Sequence, residues 1–146
     1  MSPSTRTPCV PRWEPAPLPD VLDCVTWALE QPRSLAAARR GARLRLAESD
    51  AHPSDEAAEQ VVMVLDELAA NALRHGAPPA RIELCRHPEG WLVVATDAAP
   101  GELPAPAADR PPEHGGMGLG MVAHLTVRRG TDGDAHRKRV WALVAC

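Results

Sequence analysis

The sequence lacks several features that would assign it at once to a class of protein. It has no run of about 18 apolar residues, and its first residues, "MSPSTRTPCVPRWEPAP", contain no apolar signal core. We therefore expect no membrane association and a cytoplasmic location. The formal net charge is -3 and the pI is near 6.0, which is not the strongly basic balance typical of a domain that binds nucleic acid.

Aromatic residues and closely spaced cysteines are also scarce. The chain has neither Phe nor Tyr and only 4 Trp, so its core must consist mainly of Leu, Val and Ala. Cys9, Cys24, Cys85 and Cys146 are far apart and form no CxxC pair. This spacing predicts four free thiols in a reducing compartment rather than a metal site or a disulfide framework.

The 146 residues suit one domain with a single core. Residues 1–20 are rich in proline and predict an extended or disordered arm, so we place the domain at residues 21–146. The alternation in "CVTWALEQP" predicts a strand that stops at Pro32, and Ser34 then suits the N-cap of a helix that continues to about Ala47.

The segment "HPSDEAAEQVVMVLDELAANALRHG" contains the strongest helix pattern in the chain. Ser54 suits its N-cap, Asp55 and Glu56 place negative charge in its first turn, and Gly76 suits the C′ position. Its apolar residues form one continuous arc.

Two hairpins and a short helix complete the pattern. "RIELC" and "WLVVATD" form a hairpin with a turn at Glu89-Gly90, and "TDGD" is the predicted turn of a closing hairpin. Between them, residues 98–115 form a long proline-rich loop, and "GGMGLGMVAHL" places glycines ahead of a short helix. The predicted fold is an α/β two-layer sandwich, in which about three helices cover one face of a largely antiparallel, mixed sheet.

A polar stripe runs along the strong helix away from its apolar arc. Glu67 and Asn71 lie about 40° apart, with Arg74 beside them. A carboxylate can act as a base, an amide oxygen can ligate a hard cation, and a guanidinium can pair with phosphate. The same residues also suit an ordinary solvent-exposed helix face.

Two later segments bear on this choice. Asp97 ends an otherwise apolar strand, where its carboxylate could accept a hydrogen bond from an exocyclic amine such as that of adenine, or serve as a turn residue. The glycines of "GGMGLG" suit close approach to phosphate or a simple helix entry. The spacing matches neither a Walker P-loop nor a dinucleotide fingerprint.

In this order, "ELAANALRHG", "DAAPG" and "GGMGLG" resemble the N box and the two glycine boxes of the GHKL (Bergerat-fold) ATPases. The closest likeness is to the anti-sigma-factor serine kinases of bacterial partner switching, especially the small stand-alone ones of actinomycetes. The resemblance implies binding of ATP and Mg²⁺, with residues 102–115 as the ATP lid. The implied roles are Glu67 as base, Asn71 as Mg²⁺ ligand, Arg74 as phosphate contact, Asp97 as adenine carboxylate, Gly101 as a turn of the pocket, and Gly116, Gly118 and Gly120 as the phosphate-side glycines.

The sequence departs from the family pattern at two positions. Ala99 stands where the first glycine box usually has glycine, and Arg139 stands where the closing hairpin often has a Thr near the adenine. Both departures bear on nucleotide affinity. The resemblance also implies two protein partners, a sigma factor and an anti-sigma antagonist whose serine accepts the phosphoryl group. Relatives often form homodimers, and the sequence leaves the oligomeric state open.

Three functions are compatible with these residues. The first is a protein serine/threonine kinase that is also an anti-sigma factor. The second is a binding module of the same fold that sequesters a protein and transfers nothing. Ala99 and Arg139 favour it, and Glu67 argues against it, since a pure binder needs no base beside a metal ligand. The third, a histidine-kinase catalytic domain, lacks a preceding phosphoacceptor helix pair.

Overall fold

The computed structural model describes residues 13–99 and 117–145 of the chain. Within these ranges the elements follow the predicted order of strand, two helices, hairpin, helix and hairpin. They are β1 (Leu22–Leu29), α1 (Arg33–Glu48), α2 (Asp55–His75), β2 (Ala80–His87), β3 (Gly90–Asp97), α3 (Met117–Ala123), β4 (Arg128–Gly133) and β5 (Lys138–Ala145). None of these helices is long and apolar enough to cross a membrane.

The strands form one sheet in the order β1-β2-β3-β5-β4, and each neighbouring pair is antiparallel. In the described part of the chain, the parallel pairing expected of a mixed sheet is limited to an isolated bridge between Pro15 and Thr131. The main core lies between one face of the sheet and the three helices. This arrangement confirms the predicted α/β two-layer sandwich.

Helix α2 begins as its sequence predicts. The Ser54 hydroxyl accepts a hydrogen bond from the N–H of Ala57 at 3.1 Å, and Asp55 and Glu56 occupy the first turn. The predicted apolar arc is buried, and its buried members are Val61, Val62, Val64, Leu65, Leu68, Ala69, Ala70 and Ala72. The end differs in detail: Gly76 is the C-cap and has φ of -86°, so it is not the left-handed C′ glycine that the sequence suggested.

Helix α1 confirms the predicted element but not its cap. Ser34 lies inside the first turn, where its hydroxyl accepts from the N–H groups of Glu30 and Gln31 at 3.4 Å, so it links the helix to the end of β1. Packing also explains why a glycine, Gly41, lies in the middle of this helix. A Cβ on Gly41 would lie 2.6 Å from the indole nitrogen of Trp27, which packs against the helix there.

Both hairpins form, with turns displaced from their predicted positions. The first turns over residues 88–89, because the next residue already pairs across the strands. The second turns over residues 134–137 rather than at "TDGD". There the Asp134 carboxylate accepts from the N–H groups of His136 and Arg137 at 2.8 and 3.1 Å. These bonds, the one from His136 above all, hold the pKa of Asp134 below its ordinary value.

A second, smaller apolar cluster lies on the face of the sheet away from the helices. Its buried members are Cys85, Leu92, Val94, Trp141 and Leu143. Ala16, Leu18 and Val21 pack against it. The chain is held there because the Ala16 N–H donates to the Thr131 carbonyl and the Trp141 indole donates to the Ala16 carbonyl, both at 3.0 Å.

Residues 13–20, the described part of the predicted extended or disordered arm, are extended and pack against the domain. Trp13 is only 6% exposed, and its indole N–H donates to the Leu119 carbonyl at 3.4 Å. Residues 13–20 belong to the folded unit because an extended, proline-rich segment can pair with an edge strand and cover apolar side chains. Residues 1–12 of the predicted arm lie outside the described residues.

The prediction of four free thiols is wrong for two of them, because Cys24 and Cys85 form a disulfide. Strands β1 and β2 are neighbours, and the antiparallel register that pairs Val25 with Leu84 places Cys24 opposite Cys85, with the two Cα atoms 4.1 Å apart. The separation of 61 residues along the chain conceals this contact. Four free thiols can therefore no longer be used to argue for a reducing compartment. A cytoplasmic location stays a prediction.

The buried position of Trp13 predicts that the N-terminal segment stabilises the fold. We expect Trp13→Ala to lower the free energy of unfolding by about 3–5 kcal/mol, measured by urea denaturation. Val127→Ala is the control, because Val127 is 54% exposed and its truncation should cost about 0.5 kcal/mol or less. Equal stability of Trp13→Ala and wild type would show that the segment is the loose arm that the composition suggests.

The disulfide predicts the number of reactive thiols. Of the 4 cysteines, two are joined, so protein denatured without reductant should present at most two thiols to a thiol reagent. After reduction it should present all four. Four thiols before reduction would contradict the Cys24–Cys85 bond.

Candidate functional site

The site is centred on Asp97, the last residue of β3. Its side chain lies on the helix-covered face of the sheet, and the residue is 2% exposed. Its Oδ1 accepts a hydrogen bond from the N–H of Ala99 at 2.8 Å. This bond comes from the backbone, so alanine makes it as well as the glycine usual in the family pattern. Because one oxygen is satisfied locally, the carboxylate is held in a fixed orientation.

Gly76 provides the space that this carboxylate occupies. A Cβ on Gly76 would lie 2.6 Å from Asp97 Oδ2 and 2.5 Å from the carbonyl oxygen of Ala72. The following residues continue the contact, since the Ala98 N–H donates to the Ala77 carbonyl at 2.8 Å. In the sequence, Gly76 suggests only the end of a helix. In the structure, its lack of a side chain allows the end of α2 to pack against the Asp97 carboxylate. The sequence signal that could have revealed this role of Gly76 is its position just after the polar stripe.

Lys138 is the second charged residue of the site, and sequence reasoning missed it. As the register partner of Asp97, it begins β5 with its Nζ 3.7 Å from Asp97 Oδ2. Its side chain is only 6% exposed, so both members of this ion pair are buried.

Arg139, expected near the adenine, lies on the opposite face of the sheet, where it contacts Asp132 at 3.0 Å. The correction follows from strand alternation: Val140 belongs to the core under the helices, so Lys138 shares its face and Arg139 does not.

The predicted polar stripe lies on the last part of α2, next to this carboxylate. Glu67 and Asn71 are half-buried, whereas Arg74 is exposed. Gly76 follows Asn71 by five residues, about 7.5 Å along the helix axis. The C-terminal part of the stripe and Asp97 therefore lie near the same end of α2.

Glu67 does not have the environment of a freely solvated carboxylate. Burial raises its pKa above the ordinary value of 4.5, the charge of Arg74 opposes this shift, and the charge of Asp66 adds to it. Asp66 itself is paired with Arg39 at 2.7 Å. A solvent-exposed helix face therefore describes Arg74 but not Glu67.

The glycine-rich segment is only partly described. Gly118 and Gly120 lie within α3 rather than ahead of it, because that helix already begins at Met117. Its residues Leu119, Val122 and Ala123 are buried in the core shared with α2. Gly101, Gly116 and the proposed lid at residues 102–115 lie outside the described residues, so the phosphate-side role of the glycines stays a prediction.

Two different cavities include one member each of the ion pair in their lining. Asp97 lines one of about 210 Å³, together with Thr96, Ala98 and the turn residues His136 and Arg137. The Thr96 hydroxyl is buried and, among the described residues, has no hydrogen-bond partner. Lys138 lines a second cavity of about 510 Å³. Because side chains alternate along β3, the Thr96 hydroxyl faces the side of the sheet away from Asp97. The group that this site offers to a polar ligand is therefore the buried Asp97 carboxylate.

A separate cluster has the composition of a metal site. The ligand atoms of Cys24, Glu83 and Cys85 all lie within 4.8 Å of one another. Because the two sulfurs are bonded to each other, they cannot ligate a metal as thiolates in this state. The predicted role of Asn71 as a ligand of Mg²⁺, through its amide oxygen, stays a prediction.

Comparison with known proteins assigns the family. A family model described as a histidine kinase-like ATPase domain matches residues 29–142. A comparison with curated proteins found no match. The matched segment begins at the last residue of β1, ends within β5 and includes all of the site described above. Because this match covers well over half of the sequence and agrees with the sheet and helices observed, the chain belongs to the histidine kinase-like ATPase domain family.

Proposed function

We propose that this protein is an ATP-binding regulator that acts as a protein serine/threonine kinase and as an anti-sigma factor in a partner-switching system. The observation that carries the proposal is the buried Asp97 carboxylate, fitted against Gly76 at the end of the helix that presents Glu67 and Asn71. The end of α2 thereby brings the proposed base-recognition group, Asp97, near the helix that carries the proposed catalytic residues.

The residues present fit ATP and Mg²⁺. The Asp97 carboxylate can accept from the exocyclic amine of adenine, and its burial makes an unmatched base costly. Asn71 supplies an oxygen to the cation, and the exposed Arg74 can reach a phosphate. Bound Mg²⁺ neutralises phosphate charge during transfer. Gly118 and Gly120 are proposed to lie on the phosphate side.

Glu67 is proposed as the general base. It would accept the hydroxyl proton of the substrate serine as that oxygen attacks. Burial raises the pKa of Glu67, which makes the carboxylate a stronger proton acceptor, and a catalytic base works best when its pKa approaches the working pH. The charge of Arg74 opposes this rise in pKa and favours the ionised form of Glu67.

One observation favours the second candidate, a binding module without phosphoryl transfer. Lys138 forms a buried ion pair with Asp97, so the carboxylate already has a charged partner within the protein. Such a protein would sequester a partner through the same fold. The proposed partners in either case are a sigma factor and an anti-sigma antagonist, in the cytoplasm, with a homodimer as a further proposal.

Nucleotide binding should depend on Mg²⁺ and on Asn71. We expect calorimetric titration with ATP to show binding that weakens at least about tenfold without Mg²⁺ or in Asn71→Ala, because the metal ligand is lost. Gln60→Ala is a matched control: this amide is 11 residues earlier, about three turns along nearly the same side of α2, and its loss should leave affinity unchanged. No binding of ATP to wild type would reject the nucleotide site.

Substitution of the proposed base should separate chemistry from binding. We expect Glu67→Gln to retain ATP affinity while slowing single-turnover ATP hydrolysis, with water as the acceptor, by about 10²–10⁴-fold. Glu59→Gln, an exposed carboxylate of the same helix, is the control.

The wild-type rate should also fall at acid pH as Glu67 becomes protonated. Because the pKa is raised, the midpoint should lie above 4.5. Unchanged hydrolysis in Glu67→Gln would favour the binding module.

A further inference from the structure

The disulfide belongs to a cluster of side chains that the proposed nucleotide site does not use. Cys24 lies on the edge strand β1, and Glu83 and Cys85 lie on the neighbouring strand β2. The ligand atoms of these three residues all lie within 4.8 Å of one another. Because Glu83 and Cys85 are two positions apart on one strand, their side chains share a face of the sheet. This is the face of the second apolar cluster, away from the helices.

The redox state of the two sulfurs decides what this cluster can bind. In the disulfide they are not thiolates, the form in which cysteine ligates a metal. A reducing dithiol breaks the S–S bond by supplying two electrons and two protons, and it leaves as a disulfide itself. The protein then retains two thiols. The cytoplasm keeps protein thiols reduced, so the location that we propose for this chain would expose it to this reaction.

The reduced cluster has the ligand types and the spacing of a zinc site. In a tetrahedral site, Zn²⁺ lies about 2.3 Å from thiolate sulfur and about 2.0–2.2 Å from carboxylate oxygen, so that neighbouring ligand atoms are about 3.4–3.8 Å apart. The ligand atoms of Cys24, Glu83 and Cys85 already lie close to this spacing. The pairing of β1 with β2 holds the Cα atoms of the cysteines 4.1 Å apart, so the sulfurs stay neighbours after the bond between them is broken.

The surroundings of the cluster suit a bound Zn²⁺ in both access and charge. Cys24 is exposed, so water can reach the cluster and complete the tetrahedron. The Arg81 Nε donates to Glu83 Oε1 at 3.2 Å, which orients the carboxylate and leaves its second oxygen for the metal. Two thiolates and one carboxylate carry three negative charges. Zn²⁺ balances two of them and the Arg81 guanidinium balances the third.

We propose that Cys24, Glu83 and Cys85 of the reduced protein bind one Zn²⁺ ion, with water as the fourth ligand. Binding releases one proton from each thiol. The thiolates favour Zn²⁺ over Mg²⁺, so this site is distinct from the proposed Mg²⁺ site at Asn71. The metal links β1 to β2 in place of the disulfide and fastens the edge strand in the reduced state. This inference is independent of the proposed nucleotide function.

The test is a titration of the reduced chain with Co²⁺, a spectroscopic substitute for Zn²⁺. The protein is reduced with dithiothreitol and desalted under anaerobic conditions. We expect one equivalent of Co²⁺ to produce thiolate-to-metal charge-transfer absorption, and one equivalent of Zn²⁺ to remove it. Zn²⁺ should also raise the Tm of the reduced protein, because it binds the folded state. Oxidised protein should show neither effect, since its sulfurs remain bonded to each other.

Two variants, measured in the reduced state, identify the ligands. Cys24→Ser removes a thiolate at an exposed position and should weaken Zn²⁺ binding at least about 100-fold, whereas Glu83→Gln, which retains a neutral oxygen, should weaken it at least about tenfold. Glu89→Gln is the matched control for the carboxylate, because Glu89 is exposed in the turn after β2. Its affinity for Zn²⁺ should equal that of wild type.

The double variant Cys9→Ser/Cys146→Ser is the matched control for the thiols. It retains both cysteines of the proposed site and should bind Zn²⁺ as wild type does. An equal loss of affinity in this variant and in Cys24→Ser would show adventitious binding by thiols and overturn the proposal. Unchanged affinity in Glu83→Gln would overturn the three-ligand site. Absence of charge-transfer absorption in reduced wild type would overturn the proposal whether or not the variants fold.

Discussion

The packing of the Asp97 carboxylate against Gly76 is the contact on which the site depends. It places a buried negative charge between the last strand residue of β3 and the end of α2, where a side chain as small as a methyl group would overlap both the carboxylate and the helix backbone. The backbone N–H of Ala99 satisfies one oxygen. The other is directed into the protein, where a buried charge needs a partner to be tolerated. The identity of that partner decides what the site can recognise.

Strand alternation determines that this partner is Lys138. Three consecutive basic residues, Arg137 to Arg139, appear equivalent in the sequence, but the hairpin directs them to different places. Lys138 lies under the helices beside Asp97, and Arg139 pairs with Asp132 on the far face. A shift of one residue in the pairing of β5 would exchange their positions, because side chains alternate between faces. Register is therefore as important to the composition of this site as the residue types themselves.

Much of the fold could be predicted because it is encoded locally. The apolar arc of α2, its Ser54 cap and the alternation in the strands each follow from spacing within one element. The features that sequence reasoning missed all arise from contacts between distant parts of the chain. The Cys24–Cys85 bond depends on the pairing of β1 with β2, whose register places the two residues opposite each other. The proline-rich composition of the N-terminal segment does not reveal that Trp13 packs near α3.

The candidate site shows the same division. Glu67, Asn71 and Arg74 could be grouped from helical periodicity, and Asp97 from its place at a strand end. The fit of Gly76 to Asp97 and the burial of Lys138 could not, since both depend on which strands are neighbours and on how α2 lies across them. Helix termini and strand ends are where such elements meet, so local patterns reveal the residues there without revealing their partners.

The central claim, that the base of a nucleotide is bound where Asp97 meets the end of α2, is tested most directly by mapping backbone amide chemical shifts during an ATP and Mg²⁺ titration. We expect the largest changes at Gly76, Ala98 and Ala99, whose backbone groups surround the carboxylate. Changes confined to the opposite face, around Trp141 and residues 16–18, would contradict the account, because they would place the nucleotide on the side of the sheet that Asp97 does not face.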